Sequence, residues 1–361
     1  MQIDARVEAW ASLQLVPGAS PRALFALLKA FGGPTEILKA SRATLARVVT
    51  GELAAAIERG PDRAALDRSL EWLLKPAHEL IAWGDPAYPQ ALLSIADPPA
   101  VLYFQGRQEL LNRPSVAIVG SRNATPQGVE TAEAFAAALS TAGLTIVSGL
   151  ALGIDAAAHR GGLGGAGSSL AVVGTGIDRL YPAANRSLAQ RLAEAGGMLS
   201  EFPIGTPPLP ANFPRRNRVI SGLARAVLVV EATLASGSLI TARFAVEQGR
   251  DVLAIPGSIH SPFSKGSHRL IKEGAKLVET AQDVLEELGM PAVRVERVAA
   301  NAPLQGNAER VWAALGHDPA GVDTLSERSG LPADAVCVAL VELELEGRIA
   351  GLPGGLYQRL H

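Results

Sequence analysis

Between Pro114 and Gly257 the chain switches repeatedly between two hydrophobic periods. Short, mainly apolar runs without strict alternation, "PSVAIVG", "LTIVSG", "SLAVVGTG", "GMLSEF", "AVLVVEA" and "DVLAIPG", are rich in β-branched residues and mostly end in Gly or a polar residue. Between them lie segments with helical spacing, such as "TPQGVETAEAFAAALSTAG" and "SLITARFAVEQG". Strands that are apolar throughout need cover on both faces, so the pattern predicts a parallel, doubly wound α/β sheet. Ligands of such sheets bind outside the carboxyl ends of the strands. The Pro-rich stretch just before, "GDPAYPQALLSIADPPAVLYFQG", reads as edge structure of the same unit.

The flanks have other patterns. Apolar positions in "SPRALFALLKAFGG" and "SRATLARVVTGELAAAIERG" recur at helical spacing, and the turns "LVPGAS" and "FGGPTEIL" separate short helices. Such Gly-bearing turns resemble helix-hairpin-helix or sterile-alpha-motif-like modules, with a helical docking domain as the alternative. After Met290, "PAVRVERVAANAPLQGN" has no period and reads as a linker. Three helices and a β-wing follow, the order of a winged helix. The predicted divisions are residues 1–72, 73–290, 291–305 and 306–361. The third helix of the last unit carries Asp334, Glu342, Glu344 and Glu346 and no Lys or Arg, which favours a protein-contact or structural role over reading a DNA groove.

Composition narrows the function classes. A chain of 361 residues exceeds one core of usual size, and a formal net charge of −2 argues against coating nucleic acid by bulk charge. A polyanion site must then come from local clustering. The single cysteine, Cys337, excludes a disulfide framework and a cysteine-based zinc site, and the histidines show no ligand spacing. No metal or cofactor is expected. The start "MQIDARVEAW" reads as neither signal peptide nor membrane anchor, so a cytoplasmic protein is expected.

Candidate chemistry gathers where the strands end. "FPRRNRVISGLARAVLVVEA" sets Arg215, Arg216 and Arg218 beside an apolar run read as a buried strand, and buried guanidinium groups need a partner. A solvated helix start or a polyanion site are the two readings. Gly120, Ser121 and Arg122 form the first strand-to-helix turn, where free amides and a helix dipole favour an anion and the arginine can fork onto a phosphate. Ser148 and Gly149 repeat that logic, as do Ser236, Gly237 and Ser238 with Thr241 one turn further. Phe213 is the best candidate to stack on a base, with a hydrophobic staple as its alternative. Tyr181 and Arg186 lie near another strand end, where a Tyr-Pro turn packing the loop is the competing reading. Asp155 and His159, four apart on one helix, admit general-base chemistry, but no nucleophile accompanies them, so no catalytic residue is assigned. "GLGGAG" at Gly162–Gly167 precedes its strand rather than following one, which discounts a dinucleotide.

Taken in order, "VGSR", "SGLALGIDAAAH", "GTGIDRLYP", "SEFP", "FPRRNRVISGLA", "VVEA", "SGSLITA", "AIPG" and "SKGSHRLIKEGA" resemble the DNA-processing protein A (DprA, or Smf) family over about Val119 to Val278. The resemblance implies an extended Rossmann-like sheet between the two small domains. It further implies a mediator rather than an enzyme: a homodimer that binds single-stranded DNA during natural transformation, protects it and helps load RecA in place of single-strand-binding protein. Carried over, Arg122 and the arginines of "FPRRNR" line the DNA pocket, with Asn217 in the same run, and Phe213 meets a base. Gly149 and Lys265 join the set from "SGLA" and "SKGSHR". A lysine that some members carry before Phe-Pro is missing from "LPANFP", so Arg215 is the candidate substitute. The core also resembles nucleoside-monophosphate phosphoribohydrolases, but their P-G-G-x-G-T run is replaced by "IPGSIHSPFSKGS".

Overall fold

The computed structural model describes residues 3–291, 304–316, 318–352 and 354–360. Most of the expected linker, residues 292–303, lies outside the described residues.

Six helices open the chain: α1 (Ala5–Gln14), α2 (Pro21–Phe31), α3 (Pro34–Lys39), α4 (Arg42–Leu45), α5 (Gly51–Arg59) and α6 (Arg63–Leu73). Their starts are fixed by short polar side chains that accept an amide of the first turn, Asp4, Ser20, Ser41, Thr50 and Asp62. Pro21 adds its preset φ to the first turn of α2, and Gly32, at φ +86°, turns the chain out of that helix. Trp10, Leu13, Leu27, Ile37, Leu45, Ile57 and Trp72 form the centre of this unit.

A nine-stranded sheet follows, built from β1 (His78–Ala82), β2 (Val101–Gly106), β3 (Ser115–Val119), β4 (Thr145–Ser148), β5 (Ser169–Val173), β6 (Gly197–Ser200), β7 (Ala226–Val229), β8 (Asp251–Ala254) and β9 (Lys276–Leu277). Its spatial order is β1-β2-β6-β5-β4-β3-β7-β8-β9. The strands from β3 to β9 are parallel, while β2 pairs antiparallel with β6 and with β1. The Pro-rich segment thus supplies one of the two antiparallel edge strands, β2, while β1 precedes it.

The crossovers are α7 (Pro126–Thr141), α8 (Ile154–Gly162), α9 (Arg186–Ala195), α10 (Asn212–Leu223), α11 (Ser238–Glu247) and α12 (Lys265–Lys272), with α13 (Ala281–Glu287) after β9. The two-residue period of the strands explains why they read as continuously apolar. Val116 and Ile118 of β3 face α7, α8 and α13, while Ala117 and Val119 face α10 and α11. In β5, Ala171 and Val173 join the core under the N-terminal helices, and Leu170 and Val172 turn to the opposite face.

The last unit is a winged helix with its own core. It comprises α14 (Gly306–Leu315), β10 (Ala320–Gly321), α15 (Val322–Ser329), α16 (Ala333–Leu345), β11 (Ile349–Leu352) and β12 (Leu356–Arg359). Among the described residues no helix is long and apolar enough to cross a membrane.

One element departs from the sequence reading. The three arginines do not adjoin a strand: Asn212–Leu223 is helical, and β7 begins only at Ala226. A helix that leads into a parallel strand runs back along the sheet, so its N-terminal turns, with the arginines, stand at the carboxyl edge.

Candidate nucleic-acid interface

The strand order reverses between β3 and β7, and the crevice at such a switch point is where doubly wound sheets bind ligands. A cleft of about 670 Å³ opens there. The turn after β3 lines it with Gly120, Ser121, Arg122 and Asn123; the turn after β7 adds Thr233, Ser236, Gly237, Ser238 and Thr241; α10 adds Phe213, Arg216 and Asn217, and Tyr181 closes one side.

Arg122 is exposed, with its guanidinium carbon 5.6 Å from the centre of the Phe213 ring. Phe213 is half-buried, and the end of β5 admits it because Gly174 has no side chain there: a Cβ would stand 2.9 Å from the ring. An exposed cation beside an aromatic face can serve a phosphate and its adjoining base.

The three arginines of α10 have separate fates, set by the 3.6-residue period. Arg215 and Arg218, three apart, share one face and the carboxylate of Glu201, just after β6; Arg215 reaches it at 3.1 Å, and Arg218 pairs with it inside the protein. Arg218 also binds Asp97 at 3.3 Å and its main-chain oxygen. Neither lines the switch-point cleft; Arg215, half exposed, borders a smaller one beneath α2. Arg216 turns the other way and lies buried in the cleft floor. Its Nη1 donates to the main-chain oxygens of Gly149 and Val172, and its Nε donates to Asn217 Oδ1 at 3.0 Å. Burial draws this guanidinium down to about 10, Asp155 holds it up, and Arg122 lowers it further. Burial in turn raises the Asp155 carboxyl above the usual range, and Arg216 opposes the rise.

The expected free amides at the first two turns are already taken. Glu231, following β7, accepts from Thr125 N at 3.0 Å and Thr125 Oγ1 at 2.6 Å, and Thr125 caps Gly128. Ser121 N donates to the Glu231 main-chain oxygen and Asn123 N to Ser121 Oγ. An internal carboxylate therefore fills the start of α7, and the anion donor left at this turn is the Arg122 side chain. At the second turn Asp155 accepts from Gly149 N at 3.1 Å and Ala151 N at 3.3 Å. Gly149 lies beneath the cleft, where a Cβ would meet the Arg216 guanidinium at 2.6 Å. At the third turn Ser236 Oγ accepts from Ser238 N at 3.3 Å, the amides of Leu239 and Ile240 donate to the main-chain oxygens of Ser236 and Gly237, and Gly237 is exposed. Lys265 is exposed at the start of α12, where it donates to Ile259 O, outside the cleft lining.

Asp155 and His159 are structural anchors. His159 is buried, accepts from Leu150 N at 3.3 Å through Nε2 and hydrogen-bonds Ser169 Oγ at 2.7 Å through Nδ1. Ser169 Oγ itself donates to Ile146 O, which leaves Nδ1 as the protonated donor. Together these residues hold the loop after β4, where Leu150 takes φ +59°. Burial draws the imidazole down to about 3, from 6.5. The unfolded chain therefore binds a proton that the fold rejects, and stability is lost as pH falls below 6.5. Relative to a His159→Gln variant, the protein is expected to lose about 2 kcal/mol between pH 7.5 and 5 at roughly 1.4 kcal/mol per unit. Urea unfolding at both pH values checks it; equal pH dependence in the two proteins would refute the assignment.

Tyr181, left open between cleft and packing roles by the sequence, is at the cleft, whereas Arg186 begins α9 and does not line it. Glu201, the shared counter-ion, and Gly174, under Phe213, were not singled out by sequence reasoning. Their signal is the pairing of "SEFP" and "GTG" with the arginine and phenylalanine of a later segment, which only the topology brings together.

Comparison with known proteins agrees with this architecture. Residues 79–289 match the model of the DNA recombination-mediator protein A family, and residues 295–355 match the DprA winged helix domain. Protein Smf of Escherichia coli is 44% identical over 306 residues, 82% of each chain, and DNA processing protein DprA of Streptococcus pneumoniae is 50% identical over 203 residues, 56% of this chain and 72% of that one. The X-ray structure of the S. pneumoniae protein superimposes with a TM-score of 0.69 at 38% identity, covering 80% of this chain and 99% of that one. A Helicobacter pylori DprA structure, described for its unique single-stranded DNA binding mode, gives 0.53 at 30% identity over 58% of this chain and 95% of that one. With its sheet, its switch-point cleft and its winged helix, this chain belongs to the DNA recombination-mediator protein A (DprA/Smf) family.

Proposed function

We propose that the protein binds single-stranded DNA without strong sequence preference in the switch-point cleft, protects it, and helps load RecA during natural transformation. In this reading it acts in the cytoplasm as a homodimer, with RecA and single-strand-binding protein as its protein contacts, and it carries out no catalytic step. The observation that carries the reading is the exposed Arg122 beside the half-buried Phe213 at the switch point. The H. pylori relative, whose described property is single-stranded DNA binding, supports it. The phosphoribohydrolase reading draws no support from the turn after β3, where Glu231 occupies the start of α7.

Arg122, Phe213, Asn217, Gly237 and Ser238 are assigned to direct contact, with Gly120 and Ser121 shaping the turn. Gly149 and Arg216 form the floor. Arg215, Arg218 and Lys265 stand outside the cleft, so in this reading Arg215 does not stand in for the missing lysine.

The test is fluorescence anisotropy with labelled oligothymidylate and a mixed-sequence strand over a salt series. Arg122→Ala is expected to weaken both strands equally and to flatten the log-log salt slope by about 0.7, the contribution of one phosphate contact on single strands. Loss confined to one sequence, or an unchanged slope, counts against the cleft as the DNA site.

A further inference from the structure

Phe213 has a second neighbour besides Arg122. The Tyr181 ring lies 5.7 Å from it, centre to centre, tilted by 44°, and both line the cleft. We propose that Tyr181 is a second base-stacking residue, holding the base next to the one on Phe213; this rests on the single-strand reading above.

The first argument is exposure. Tyr181 is 46% exposed, although a ring that serves only to pack its loop would be covered. The second is that the loop is held without the ring. Thr175 Oγ1 donates to Arg179 O at 2.7 Å, Arg179 N to Gly176 O at 2.8 Å, and Gly205 N to the Asp178 carboxylate at 2.8 Å. Beyond Pro182, Asn185 Nδ2 reaches the main-chain oxygens of Leu150 and Ala151 at 2.9 and 3.1 Å. These bonds secure the backbone on both sides of Tyr181 and leave its ring facing the cleft. The third argument is chemical. With aromatic residues at 4% of the chain, a continuous stacking platform is unavailable, but two adjacent rings suffice for two bases. Their mutual tilt requires the strand to turn between those bases. A single strand can unstack to do so; a duplex holds its bases parallel and paired, so the tilted pair selects single strands.

The experiment compares oligothymidylate with an oligomer of abasic sites of the same length, by anisotropy, against the full chain and its Tyr181→Ala and Tyr181→Phe variants. Tyr181→Ala is expected to weaken oligothymidylate binding about tenfold, within the range for one stacked base, with the salt slope unchanged. Tyr181→Phe should bind like wild type, and the abasic oligomer should bind all three proteins equally, which also shows that the cleft is intact. Unchanged oligothymidylate binding by Tyr181→Ala overturns the proposal, as does parallel loss of both oligomers, the mark of a packing role. A wild-type protein that binds neither oligomer overturns the single-strand reading itself.

Discussion

Arg218→Ala is expected to destabilise the protein by about 3 kcal/mol, the usual cost of breaking a buried ion pair, since among the described residues the half-exposed Arg215 is the one ionic partner it leaves to Glu201. The Glu201 and Arg218 side chains are 6% and 8% exposed, so the carboxylate has little water to turn to when its inner partner is lost. Arg215, bound to the same oxygen at 3.1 Å, is 52% exposed, and Arg215→Ala should cost at most about 1 kcal/mol. Two arginines on one carboxylate thus differ because only one was taken out of water. Urea midpoints of the two variants decide the matter; similar losses, or a negligible loss in Arg218→Ala, would remove the structural role assigned here. An Arg218→Met, Glu201→Leu double variant should recover much of the stability, since it leaves no lone charge inside.

That contrast shows what the sequence could and could not disclose. The strands were legible because β7 is apolar throughout and β3 and β5 are apolar after their opening Ser115 and Ser169, a consequence of burial on both faces. The reversal of strand order between β3 and β7 was not legible, since chain order does not say which strands become neighbours. The arginine cluster was visible, yet it was read as one unit flanking a strand. Helical periodicity divides it: Arg215 and Arg218 turn to Glu201 and Arg216 to the floor, leaving Arg122, from a segment about ninety residues earlier, as the exposed cation of the cleft. The free amides expected after β3 and β4 were misjudged for a related reason. Their acceptors, Glu231 and Asp155, are ordinary acids in the sequence and become internal ligands only when the chain folds. Gly149 reads as a turn residue and Gly174 carries no signal of its own, yet a Cβ at either would meet Arg216 or Phe213.

Arg216→Ala is expected to fail in two ways at once, whereas Arg122→Ala should fail in only one. The Arg216 guanidinium joins the ends of β4 and β5 through the oxygens of Gly149 and Val172 and orients Asn217, so its loss leaves buried acceptors unpaired. Stability should fall by about 3 kcal/mol, and single-strand affinity should fall with it because the floor under Phe213 shifts. Arg216→Lys should not restore either property, because one ammonium cannot reproduce a planar fork on three acceptors. Asp155 supplies an internal check. Burial already raises its carboxyl, and without Arg216 only the hydrogen bonds it accepts are left to oppose the rise. A carboxyl whose folded pKa lies above its unfolded value favours the fold while protonated and weakens it as pH rises, so the Arg216→Ala defect should be larger at pH 8 than at pH 5. Urea unfolding at both pH values, beside anisotropy on the same samples, reads all of this. If Arg216→Ala loses affinity at wild-type stability, the buried guanidinium contacts the phosphate directly and the division between floor and contact residues is wrong. If it loses stability while Arg122→Ala loses only affinity, the buried arginine builds the cleft and the exposed one uses it.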